Sequence, residues 1–149
     1  MLCGGCGFRY FHNMAAAVMG ILETPQGILF TRRARDPGKS MLDLPGGFVD
    51  YGETLEGAVR REIREELGLE LPVIRYFGSF PNTYAYRGVT YHTADAVFVC
   101  PVDPRNRMRL SDEIVETVVL RPADVNPDVL AFDSAKLALR EYLARGSHF

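Results

Sequence analysis

Glu62, Glu65 and Glu66 stand at the spacing i, i+3 and i+4, in a stretch whose apolar residues Val59, Ile63 and Leu67 recur every four positions. On an α-helix this spacing sets all three carboxylates within about 100° of one face. Like charges so placed destabilise a helix by about 0.2–0.5 kcal/mol per pair, so a cluster of three needs a compensating cation. Hard carboxylate oxygens suit Mg²⁺ or Mn²⁺ better than Zn²⁺, and magnesium completes its shell with water and substrate phosphate oxygens. The pattern therefore points to a divalent cation and a phosphate-bearing substrate. Arg61, four residues before Glu65 and eight after Glu53, has the fork geometry to orient one carboxylate while the others hold metal. The plainer account takes Arg60, Arg61, Glu62, Arg64, Glu65 and Glu66 as a solvated face of mutual ion pairs.

These residues need a helix, and residues 54–67 read as one: Thr54 is a suitable N-cap and Gly68 suits the left-handed position after the last turn. Before it, residues 14–23 read as a buried strand ending at the turn Thr24-Pro25-Gln26-Gly27, with residues 27–34 as its hairpin partner and a polar loop beyond. Residues 71–80, 91–100 and 114–120, rich in Val, Tyr and Phe, read as further strands. A last helix over residues 134–144 is expected to turn Leu137, Ala138, Tyr142 and Leu143 to the core. Residues 101–109 look linker-like. Strands and helices mix without strict βαβ alternation, which predicts an α/β fold: a mixed β-sheet sandwiched between α-helices in one layered domain.

The wider frame decides between the two accounts of the acidic face. Residues 47–69 read GFVDYGETLEGAVRREIREELGL. Gly47, five residues, Glu53, seven residues, Arg61-Glu62, Ile63, Arg64, Glu65-Glu66, Leu67, Gly68 and Leu69 match the signature of the Nudix hydrolases, and the chain resembles that family from Ala15 to its final helix. Seven fixed identities would coincide by chance in on the order of one chain in ten million. The resemblance implies an α/β/α Nudix fold with a loop–helix–loop in which Glu62, Glu65 and Glu66 bind Mg²⁺ or Mn²⁺, Gly47 adds its carbonyl, and Glu53 and Arg61 brace the loop. It also implies a water nucleophile. The base is Glu62, Glu66 or an acid on a downstream loop, where Glu113 is favoured over Asp112 and Glu116 as base or extra ligand.

Composition bounds the partners. At 149 residues and 47% hydrophobic, the chain suits a single compact domain. A net charge of −2 argues against nucleic acid or an anionic membrane surface as the main partner, and the longest apolar run, nine residues from Met14, is far short of the roughly 20 a span requires. No export signal is visible, so a cytoplasmic protein is expected, with its three cysteines not forming a disulfide framework. The expected partner is a small-molecule nucleotide, with a homodimer left open.

Substrate choice lies outside the signature. Arg32 and Arg33 alternate across a strand, so one of them would grip phosphate from the cleft, unless both simply lie on an exposed edge. Phe80, Tyr84 and Tyr86 are candidates to stack on a base, with core or hairpin packing as the alternative. At the N-terminus, Cys3 and Cys6 resemble half of the zinc ribbon of NADH pyrophosphatase-type members; tetrahedral zinc wants four ligands, which His12 or Cys100 would complete only by fortunate placement or across a dimer. Residues 1–13 thus read as a residual knuckle-like segment and residues 14–149 as the hydrolase domain. Gly78-Ser79-Phe80-Pro81 stands where true NADH pyrophosphatases carry Ser-Gln-Pro-Trp, which makes NADH less favoured than ADP-ribose-like or other dinucleotide substrates. The rivals are a nucleoside triphosphate sanitising pyrophosphatase, a nucleotide-sensing module without catalysis, and a nucleic-acid adaptor acting through the knuckle.

Overall fold

A computed structural model describes residues 1–103 and 105–146. β1 (Ala15–Thr24) and β2 (Gly27–Arg33) form the expected hairpin, closed by Thr24, whose hydroxyl donates to the Gly27 carbonyl at 2.9 Å. Two short strands follow, β3 (Leu42–Asp43) and β4 (Gly46–Phe48), then helix α1 (Leu55–Leu67). β5 (Arg75–Tyr86) and β6 (Val89–Pro101) make a long hairpin, and β7 (Ile114–Leu120) precedes helix α2 (Asp133–Arg145).

The strands join in one mixed sheet ordered β3-β2-β1-β6-β5. β1 runs parallel to β6, and its other edge is divided: Ala17–Met19 pair with β4, while Leu22–Thr24 pair with β2. That division opens the sheet beside β4, the strand that leads into α1. One face packs Val18, Leu22, Leu29 and Phe98 against Val59, Ile63 and Leu67 of α1; the other packs Ile21, Phe30 and Val97 against Ala135, Ala138 and Leu139 of α2. The mixed sheet between two helices is therefore as expected, and each helix covers one face.

Helix α1 begins and ends where its residues dictate. The Thr54 side chain accepts from the Gly57 N–H, and Gly68, at φ +69°, donates its N–H to the Arg64 carbonyl. Elsewhere the structure corrects the expectations. The strand placed at residues 71–80 starts at Arg75 and continues through Pro81 to Tyr86, because β5 is the outer strand and a proline there forfeits no essential ladder bond. A two-residue turn at Arg87-Gly88, both at positive φ, closes the longer hairpin. On α2, Ala138 and Tyr142 are buried as expected and Leu143 packs against the core, but Leu137 is 41% exposed, with Ala135 and Leu139 buried instead. The linker-like segment packs back on the domain: Val102 and Met108 join the α1 core, and the Arg109 N–H donates to the Leu67 carbonyl at 2.8 Å. Pro104 in that segment, and residues 147–149, lie outside the described residues.

The N-terminal segment folds into a small hairpin, with Leu2 bridged to Arg9 and the Gly7 N–H donating to the Cys3 carbonyl. Cys3 and Cys6 are exposed, and N–H groups of Cys6 and Gly5 hold the Cys3 thiol below its ordinary range. Cys100 cannot join them, since it lies in the α1 core with its thiol pushed up to about 12 by burial. Among the described residues no helix is long and apolar enough to cross a membrane.

Candidate active site

Arg61 organises the loop that enters α1. Its Nε and one terminal nitrogen each donate to Glu53 at 2.9 Å, the same nitrogen reaches the Phe48 carbonyl at 3.0 Å, and the other terminal nitrogen donates to Glu62 at 2.7 Å and Glu65 at 3.2 Å. Glu53 also accepts from the Asp50 N–H, so the loop is tied at both ends through one carboxylate. These bonds hold the Glu53 carboxyl below its usual range, the Arg61 bond contributing most. Glu53 and Arg61 are thus where a brace would be.

Glycines bring backbone against this helix. Gly46 has φ +157°, and an added Cβ would sit 2.1 Å from the Val18 carbonyl oxygen of the paired strand. Its N–H donates to the Glu66 carboxylate at 3.2 Å. At Gly47 an added Cβ would lie 2.5 Å from Glu62 Oε1, which is itself held by Arg61. Gly47→Ala is therefore expected to push the Glu62 carboxylate aside, lowering kcat/KM by about 10²-fold while shifting Tm little. Paired kinetic and thermal-melt measurements check this, and unchanged kinetics would contradict it.

Glu62 and Glu66 face a cavity of about 330 Å³ together with Gly47, Phe48, Tyr84, Glu113, Arg33 and Phe132. Burial raises the Glu62 carboxyl against the pull of Arg61. Glu66 is pushed up to about 8, first by burial and then by Glu62 and Asp43, with the Gly46 N–H opposing. Asp43, buried beside it, is pushed up to about 7 by burial despite its bond from Arg33 at 3.0 Å. The cavity thus gathers acids whose charges are costly together. Glu65 is instead 59% exposed, bonded to Arg61, and is not among the residues that line the cavity. Among the described residues no three His, Cys, Asp or Glu side chains converge as a ready-made metal site; Arg61 draws Glu62 and Glu65 toward itself while Gly46 holds Glu66.

The two arginines part company. Arg33 lines the cavity, bonded to Asp43 and the Pro37 carbonyl and lying 4.8 Å over the Phe132 ring, whereas Arg32 is taken by Glu116 at 2.6 Å and the Ser40 carbonyl. The aromatics divide as well. Tyr84 lines the cavity, 5.5 Å from Phe132 and 5.8 Å from Phe48, and Tyr86 lies beside Tyr84 on an adjoining hollow shared with Glu66 and Glu113. Phe80 stacks on Phe77 against the α2 core and is not among the cavity's walls. Glu113, just before β7, reaches the cavity mouth and pairs with Arg35 at 3.2 Å. Sequence reasoning missed Asp43, Asp95, Asn82 and Phe132, all on the cavity wall. The one usable signal was Asp95, a charge inside the apolar run of β6. A larger hollow of about 690 Å³ opens beside the β1–β2 turn, lined by Glu23, Arg121 and Tyr142, but it holds none of the clustered acids.

Residues 12–140 match the NUDIX domain. The chain belongs to the Nudix hydrolase family. Among its relatives, the ADP-ribose pyrophosphatase of Methanocaldococcus jannaschii is 35% identical over 91% of this chain and 77% of its own length. The NAD-capped RNA hydrolase NudC of Vibrio vulnificus is 38% identical over 54% of this chain, a match spanning only 31% of that longer protein. The MutT NUDIX hydrolase from Burkholderia pseudomallei superposes with a TM-score of 0.73 and 25% identity over 86% of this chain and 97% of its own. The Nudix fold places the signature loop and α1 at the opening beside β4, so its acids meet the cavity walls supplied by the sheet.

Proposed function

We propose that the chain is a metal-dependent pyrophosphohydrolase acting on a nucleoside diphosphate linked to a second group, with ADP-ribose-like or dinucleotide substrates preferred. The observation that carries this reading is one cavity that joins Glu62 and Glu66 to Arg33 and to the rings of Phe48, Tyr84 and Phe132. Such a cavity matches a diphosphate flanked by a base. The likeness to the archaeal ADP-ribose pyrophosphatase, over nine-tenths of this chain, supports the same substrate class.

The donor set fits a hard divalent cation. Gly47, Glu62 and Glu66 face one cavity, and ionisation of Glu66 is opposed by burial and by Glu62 unless a counter-ion is present. Glu62, Glu65 and Glu66, with the Gly47 carbonyl, would hold Mg²⁺ or Mn²⁺. When bound, the ion would neutralise phosphate charge and lower the pKa of a water. Arg33 orients a phosphate oxygen, and Glu53 and Arg61 keep the loop in register. Glu113 at the mouth serves as the base that takes the water proton or as a further ligand. Water oxygen bonds to one phosphorus, the bridging P–O bond breaks, and two phosphate-bearing products leave.

The test is turnover, with Mg²⁺ and then Mn²⁺, of ADP-ribose, NADH, dinucleoside polyphosphates, nucleotide sugars and nucleoside triphosphates, with products separated chromatographically. AMP and ribose 5-phosphate from ADP-ribose are expected. Pyrophosphate and a nucleoside monophosphate from a triphosphate alone would replace this reading with the sanitising one.

A further inference from the structure

Two polar atoms on the cavity wall have no partner among the described residues. Asp95 Oδ1 and Thr93 Oγ1 are each buried without a hydrogen bond, on residues only 3% and 2% exposed, and both residues line the cavity that Glu62 and Glu66 face. Buried polar groups are satisfied in the great majority of folded proteins, so two orphans on the wall of one cavity mark a place prepared for something else.

Their surroundings say what that is. Thr93 and Asp95 alternate along β6, so both point to the same face of the sheet. Ser134, fully buried at the start of α2, donates its hydroxyl to Asp95 Oδ2 at 2.5 Å and so fixes the carboxyl group with Oδ1 left over. Asn82, opposite Thr93 in the β5–β6 register, adds an amide to the same wall. Phe132, two residues before Ser134, brings the ring that lies near Tyr84 and under Arg33. Asp95 and Thr93 offer oxygen acceptors and no cation, so this stretch of wall suits a hydrogen-bond donor, while Arg33 is the cavity's cationic group for a phosphate. A carboxyl oxygen accepts from an N–H or O–H, and a planar base stacks on the adjacent rings. The position resembles in its chemistry the acidic residue that receives a ribose hydroxyl in other nucleotide sites.

We infer that Asp95 and Thr93 form the nucleoside-recognition wall of this cavity, Asp95 Oδ1 accepting a hydrogen bond from a base amine or a ribose hydroxyl, with Thr93 Oγ1 pairing beside it. This deepens, and rests on, the nucleotide reading above. Ser134 is a positioning residue that acts through Asp95. The amine and the hydroxyl are two sources of one donor chemistry, and analogues lacking each separate them.

The experiment titrates the full chain, without metal, with adenosine, inosine and 2′-deoxyadenosine, following amide chemical shifts by NMR. Wild type is expected to bind adenosine roughly 10-fold or more tightly than at least one of the other two. Discrimination against inosine assigns the base amine, and discrimination against 2′-deoxyadenosine assigns the hydroxyl. Asp95→Asn and Thr93→Val are expected to reduce that ratio, and Ser134→Ala to weaken it in part, with thermal melts confirming the fold. If Asp95→Asn does not fold, Thr93→Val and Ser134→Ala are read in its place. Equal affinities in wild type, no saturable binding, or a ratio untouched by the folded variants would overturn the inference. Parallel turnover of ADP-ribose reports on the substrate reading alone: discrimination without turnover sinks that reading and leaves the wall, and turnover without discrimination does the reverse.

Discussion

Glu66→Gln is expected to lower metal-dependent turnover by about 10³-fold while making the metal-free protein more stable at pH 8 than the unaltered chain. Both effects come from one buried carboxylate. Glu66 is held at about 8 in the folded chain against an ordinary 4.5, so between those values the folded state keeps a proton that the unfolded chain has released. Stability of the metal-free protein therefore falls as pH rises from about 4.5 to about 8. Glutamine keeps an oxygen to accept from the Gly46 N–H and removes the ionisation, so most of that fall should vanish. The smaller decline left by Asp43, which is pushed up to about 7, should end near neutrality. Melts at pH 5 and pH 8 in a chelator, compared with kinetics in Mg²⁺, check both arms. Full turnover in Glu66→Gln would remove it from the catalytic set, and an unchanged pH slope would remove the electrostatic account.

Arg61→Ala should damage stability and activity together. The guanidinium bonds Glu53, Glu62, Glu65 and the Phe48 carbonyl, and its own side chain is 23% exposed, beside Glu62 at 15%. Exposed ion pairs contribute little, but removing one partner of a largely buried group leaves the other desolvated and unpaired. A loss of about 2 kcal/mol is expected, lowering Tm by roughly 4–8 °C. Freed from Arg61, Glu62 would leave its place against Gly47, and kcat/KM should fall by about 10²-fold. Arg61→Lys should not restore either quantity, because a single ammonium cannot span Glu53 and Glu62 as a planar fork does. Rescue by lysine would show that charge alone, rather than the fork, organises the loop.

The box from Gly47 to Leu69 was readable because everything in it is local. Helix α1, its Thr54 cap, its Gly68 stop and the common face of Glu62, Glu65 and Glu66 follow from contacts within a few residues, and those depend on spacing alone. The hairpin of β1 and β2 was legible for the same reason, whereas β7, which pairs with distant β2, was legible from its β-branched composition. Errors came where the environment overrode the local signal. The strand expected to end at residue 80 runs on through Pro81 because β5 lies at the edge of the sheet, and nothing local reveals an edge. Leu137 and Leu139 are equally apolar, and only the docking angle of α2 on the sheet buries the second.

What the sequence determined by itself was the family, the acidic helix face with its bracing arginine, both α-helices and the five longer strands, but not the short β3 and β4. The tertiary structure decided the cavity. Arg33 rather than Arg32 enters it, Phe80 leaves it for the core, and Asp43, Asn82, Thr93, Asp95 and Phe132 come together on its wall from four separate segments. The parallel pairing of β1 with β6 sets Asp95 level with Ala17, in the part of β1 that also carries β4 and the Gly47 loop, although the two lie far apart along the chain. Spacing along a helix is a short-range property, whereas a cavity wall is made by the order of strands in a sheet, and that order is settled only when the whole core packs.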